Sequence, residues 1–119
     1  MVIEQDKRIL AYISFTRAYD AKKNAIGFHL APLAVLPGWQ QQGLGQQLIR
    51  DSLPALAPGA PVYVLGDPEY YSKTGFRIDR TQRCLFDSGG NHFMVLSPVP
   101  LPPRQVGYEQ EFYDLAGLR

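Results

Sequence analysis

The residues best placed to do chemistry lie in Pro37-Gly-Trp-Gln-Gln-Gln-Gly-Leu-Gly-Gln-Gln-Leu-Ile49, a run that follows the apolar stretch Leu30 to Leu36 and opens a segment of helical spacing. In the first turn of a helix the backbone N–H groups have no intrahelical partner, and the aligned peptide dipoles leave partial positive charge. A phosphate fits there. Gly43 and Gly45 remove two side chains that would keep a diphosphate from those amides, and glycine tolerates the tight backbone the turn requires. The chemistry on offer is the grip of a nucleotide-bearing cofactor. The same Gly-x-Gly spacing also occurs in strand-to-helix turns that bind nothing, so the pair alone leaves both readings open.

Other chemistries find no footing. Cys84 is the single cysteine, and His29 and His92 stand far apart, so neither an intrachain disulfide nor a zinc-ligand cluster is expected. No Gly-x-Ser-x-Gly elbow occurs, the glycine turn lacks the Lys-Ser/Thr of a P-loop, and the repeated β-α-β units of a dinucleotide fold are missing. A net charge of +1 gives no basic field for nucleic acid. The first eight residues carry charges where a secretory signal needs an apolar core, and no run is long enough to span a membrane. With 119 residues, 45% of them hydrophobic, the expectation is one soluble, cytoplasmic domain over residues 1–119 with a modest core.

Several elements must position the glycine turn. Ile9 to Phe15 is rich in β-branched and aromatic residues, Asp20 to Asn24 supplies turn residues, and Ala25 to Leu36 reads as the next, antiparallel strand. Pro32 lacks a ladder donor, which predicts an edge, a bulge or a break within that strand. Leu44, Leu48, Ile49, Leu53 and Leu56 follow helical spacing, and Pro54 ends the regular helix near Leu53. With Pro61 to Leu65 as the following strand, this makes one parallel β-α-β unit whose turn carries the glycines. Pro68 to Thr74 reads as a short helix closed by Gly75, and Arg83–Asp87 with His92–Leu96 as a hairpin around Ser88 to Asn91. The Pro-rich stretch Pro98 to Pro103 suits no regular structure, and Val106 to Tyr113 alternates like a last strand.

Gln40-x-x-Gly43-x-Gly45 behind Leu-Ala-Val-Leu-Pro, with Leu65-Gly-Asp-Pro-Glu-Tyr-Tyr-Ser-Lys-Thr-Gly-Phe76 after it, resembles two motifs of the GNAT N-acetyltransferase superfamily in their usual order, most closely its YhbS-type branch. The resemblance implies an α+β fold with a central mixed, mostly antiparallel sheet, one parallel β-α-β cofactor unit and few helices. It implies acetyl-CoA as acetyl donor to a primary amine, with no metal. The cofactor would lie on Leu33, Ala34, Val35, Gln40, Gln41, Gln42, Gly43, Leu44, Gly45 and Gln46, amides near Val35 and Leu36 being left unpaired where the two parallel strands splay. A buried parallel strand with no ligand is the alternative for residues 33 to 36. Tyr71, four residues before Gly75, matches the position whose hydroxyl serves as general acid in many relatives; its alternative is a packing tyrosine. Tyr70 and Phe76 read as core or pocket wall. Asp67 and Glu69 read as helix capping and dipole complement, or as groups that hold a water or a cationic amine.

Two departures from the family pattern bear on function. The strand carboxylate that many relatives use as base is Ala31 here, and His29, of the same strand parity if no bulge intervenes, is either a substitute or an ordinary strand histidine. The loop carries Gln40, Gln41 and Gln42 where relatives often carry Arg or Lys, so more distant cations must meet the diphosphate charge. The chain also resembles a family member lacking its N-terminal strand and helices, and the apolar sheet surface this would expose predicts a homodimer. The competing readings are a non-catalytic CoA-binding or protein-interaction module of the same fold, and a structural domain without ligand.

Overall fold

Apolar residues at every second position drive the extended segments, and the places where that alternation fails are bulges. The computed structural model describes residues 1–115, the side chains of Pro32, Phe112 and Leu115 excepted. Strands β1 (Val2–Gln5) and β2 (Arg8–Tyr19) form a hairpin through Asp6 and Lys7, whose φ angles of 51° and 63° give the primed turn that matches strand twist. A shift of register between Ile3 and Glu4 lets consecutive Leu10 and Ala11 both bury. Strand β3 (Ala25–Val35) pairs antiparallel with β2 beyond a turn in which the Asp20 carboxylate accepts the Lys22 and Asn24 amides, both at 2.9 Å. The β2–β3 register slips where Ser14 faces Ala31 and Pro32, the irregularity that the proline predicts.

Helix α1 (Leu44–Ser52) is followed by a 3₁₀ turn, Leu53–Ala55, with Pro54 in its first positions, and β4 (Val62–Leu65) then runs parallel to β3. Next come α2 (Pro68–Tyr71), a 3₁₀ turn over Ser72–Thr74, and Gly75 as C-cap at φ 96°. Strands β5 (Arg77–Ile78), β6 (Gln82–Cys84), β7 (Phe93–Leu96) and β8 (Arg104–Val106) precede α3 (Gln110–Leu115). The main sheet has the order β1-β2-β3-β4-β7-β5, with β3–β4 its one parallel pair. A small parallel pair, β6–β8, forms a second sheet.

Two expectations are corrected. Arg83–Asp87 and His92–Leu96 do not pair as a hairpin: β6 joins β8, while β7 lies between β4 and β5. The Asp87 carboxylate accepts the His92 and Phe93 amides at 2.8 and 2.7 Å, a side-chain closure that redirects the chain instead of turning a ladder back on itself. Val106–Tyr113 is not a strand either. Pairing ends at an isolated bridge between Gly107 and Tyr19, and the Tyr113 hydroxyl accepts the Tyr108 amide at 2.9 Å, so the chain folds back into α3.

The alternation along β4 divides the core between the two faces of the sheet. Val62 and Val64 pack with Ile13, Leu30, Leu48, Ile49 and Phe76 on the α1 side, while Tyr63 packs with Ala18, Cys84, Phe93, Val106 and Tyr108 on the other. Tyr63 Oη donates to Gln82 Oε1 at 2.7 Å and accepts from Arg104 Nη2 at 3.1 Å, which ties the small sheet to the large one. Among the described residues no helix is long and apolar enough to cross a membrane.

Candidate active site

The site grows from a divergence of two strands. β3 and β4 pair only at Phe28–Val62 and His29–Tyr63; beyond His29, β3 stays with β2 and β4 stays with β7. In an antiparallel ladder successive residues turn their amides to opposite sides. Leu36 N donates to Leu10 O at 2.7 Å, so beyond the bulge Ala34 and Leu36 turn their amides to β2, and Leu33 and Val35 turn theirs into the gap. The expectation for Leu36 is therefore corrected, because its amide closes the β2–β3 ladder. Ala34, opposite Tyr12, exposes its side chain on the far face.

The turn that follows is held by its own side chains. Gly38, Gln41 and Gly43 adopt φ of 90°, 63° and 80°. Gln40 Nε2 donates to Val35 O at 3.2 Å and Gln42 Nε2 to Gly38 O at 3.3 Å. Gly43 is the N-cap of α1 with no side-chain cap, and no acidic residue stands in the first turn. The leading amides of α1 thus keep their partial positive charge with no acidic side chain of their own turn against them.

Asp67 makes the opposite wall by capping α2, its Oδ1 accepting the Glu69 amide at 3.0 Å. The Tyr70 hydroxyl lies against Gly45 so closely that a Cβ there would overlap it. Gly45 therefore makes room for Tyr70, while Gly43 faces open space. Between the walls lies a crevice of about 680 Å³, with Leu33, Val35, Trp39, Gln40, Gln41, Gly43, Leu44, Gly45 and Gln46 on one side and Asp67, Glu69, Tyr70 and Lys73 on the other. Gln42 and Ala34 are not among its lining side chains. Tyr71 stands beside it, its ring edge 2.6 Å from where a Cβ of Gly66 would be and its centroid 5.0 Å from that of Tyr70. Burial, and to a lesser degree Tyr70, push the Tyr71 hydroxyl above its ordinary pKa.

Sequence reasoning missed Trp39 and Lys73. Their types give no signal; only the closure of the turn against α2 brings them to the crevice. His29 belongs elsewhere. It is buried on the opposite face, its ring stacked 3.8 Å from Tyr108 and its Nε2 3.0 Å from Gly107 O, and desolvation lowers its pKa to about 4. The bulge at Ala31 and Pro32 breaks the parity that would have aimed it at the site. Phe76 is core. Among the described residues no group of three or more His, Cys, Asp and Glu side chains could hold a metal ion.

Residues 1–78 match the model of the acetyltransferase (GNAT) domain. The chain belongs to the GNAT acetyltransferase family. It is 32% identical over 106 residues to the uncharacterised N-acetyltransferase YjhQ of Escherichia coli K12, an alignment covering 86% of this chain and 53% of that one. It is 31% identical over 96 residues to the E. coli uncharacterised N-acetyltransferase YhbS, covering 77% and 58%. The chain thus spans about half the length of these curated relatives. Among solved structures, the E. coli GNAT N-acetyltransferase YhbS in complex with CoA superposes with a TM-score of 0.84 at 28% identity, over 93% of this chain and 67% of that one. A GNAT acetyltransferase from Brucella melitensis in complex with acetyl-CoA gives a TM-score of 0.74 at 31% identity, over 93% and 66%. The α+β architecture described above, mostly antiparallel with one parallel pair, is the GNAT fold.

Proposed function

We propose that this GNAT domain takes acetyl-CoA and moves its acetyl group to a primary amine of a small molecule or protein. The observation that carries the reading is the uncapped N-terminus of α1, opening beside the free amides of Leu33 and Val35. The amides of Leu44, Gly45 and Gln46 suit the diphosphate, and the left-handed Gly43 keeps their approach open. The β3 edge suits the pantetheine arm as an added strand, and one of its amides would polarise the acyl carbonyl. The coenzyme supplies the activated thioester. Tyr71 would hold a proton for the departing sulfur: its raised pKa keeps the hydroxyl protonated at neutral pH, and among the described residues no hydrogen bond engages it.

Acetyl-CoA consumption across a panel of amines tests the reading. Turnover with at least one amine is expected, and coenzyme binding should change the emission of Trp39, the single tryptophan, from within the crevice. A second reading, a coenzyme-binding module without turnover, is favoured by Ala31 at the usual base position and by the sequestration of His29; it requires binding with no consumption. The expected homodimer would close on the exposed strip Val2, Tyr12 and Ala34, which lie side by side across β1, β2 and β3, and light scattering at micromolar concentration checks it. Buried, unpaired Cys84 suits a reducing cytoplasm.

A further inference from the structure

We infer that Lys73 neutralises the coenzyme diphosphate in this crevice, a step that rests on the acetyl-CoA reading above. The glycine turn brings no cation of its own: Gln40, Gln41 and Gln42 lead into it, and the amides of Gln40 and Gln42 are engaged with the Val35 and Gly38 carbonyls. Backbone amides offer only partial charges against a doubly charged diphosphate. Asp67 and Glu69 on the facing wall worsen the balance. Lys73 is the one cation among the described residues that line the crevice.

Its place is fixed by packing. Tyr70 and Lys73 are three residues apart on the continuous turn formed by α2 and Ser72–Thr74, so their side chains share a face. The Tyr70 hydroxyl rests on Gly45, so that face looks onto the opening of α1, and Lys73 lines the same crevice. Among the described residues no carboxylate forms an ion pair with Lys73, which leaves its charge available. Arg8 lies in a separate depression with Gln5 and Asp6, which shares Trp39 with the crevice.

Calorimetric titration of CoA, 3′-dephospho-CoA and phosphate-free pantetheine into wild type, K73Q, K73R and R50Q tests the assignment. Arg50, exposed in the last turn of α1, matches the change in net charge at the wrong end of the helix. K73Q should weaken CoA and 3′-dephospho-CoA alike, by about tenfold, with pantetheine unaffected and with K73R and R50Q near wild type. Equal CoA affinity in K73Q and wild type overturns the assignment, as does a loss confined to CoA, which would move the lysine to the 3′-phosphate. Wild-type protein that binds neither nucleotide-bearing ligand is a different failure, and refutes the acetyl-CoA reading itself.

Discussion

A methyl group at Gly45 would overlap the Tyr70 hydroxyl, and the buried start of α1 has little room to yield. Gly45→Ala should therefore lower stability by about 1–3 kcal/mol in urea titration. Adding Tyr70→Phe should recover most of that loss, because the hydroxyl is the nearest clashing group; a G45A protein as stable as wild type would show that the ring swings away freely. Tyr71 works differently. Its hydroxyl has no engagement to lose, so Tyr71→Phe should keep CoA affinity while turnover falls by about a hundredfold or more. Unchanged turnover would remove the acid role and leave Tyr71 as packing against Gly66 and Phe76.

Between β6 and β7 the chain depends on one carboxylate. Asp87 accepts two backbone amides and keeps its side chain 8% exposed, so Asp87→Ala should leave both donors unsatisfied and cost about 1–3 kcal/mol, read from chemical denaturation. Loss within experimental error would mean that water replaces the carboxylate. This closure also explains what the sequence hides. Strands β2, β3 and β4 and helix α1 are legible because their periods repeat over short range, while Pro54 marks the end of α1 and Gly75 the end of the turn after α2 by backbone chemistry alone. The segments at 83–96 and 106–113 carry equally plausible alternation, yet Asp87 and Tyr113 divert their amides through contacts no local pattern encodes. The glycine turn was legible for the same reason as Gly75. Trp39 and Lys73 were not, since their relevance arises only when α2 packs across α1.

Across the whole molecule, His29 links the β3 strand to the second core through Tyr108 and Gly107. Burial holds its folded pKa at about 4, below the ordinary histidine value of 6.5, so the unfolded chain binds the proton first. Stability from this residue is complete above about pH 6.5, declines as pH falls, and levels off once the folded form also protonates near pH 4. The loss over that window should be about 3 kcal/mol. Denaturation curves across the window should show it, and His29→Gln should flatten the dependence; a wild-type protein indifferent to pH there would mean the ring is protonated or hydrated in the fold. The carboxylates Asp20, Asp79 and Asp87, all with lowered pKa, act at more acid pH and leave the histidine window distinct.

Only two residue pairs stitch β3 to β4, and everything past His29 is an unzipped seam between two halves of one sheet. Such a junction is a mechanical weak line, at which slow opening would register in hydrogen–deuterium exchange before either half unravels. An arm laid along Leu33 and Val35 would act as the missing zipper teeth, so protection gained on saturation should concentrate at those two amides and spread from them across the joint.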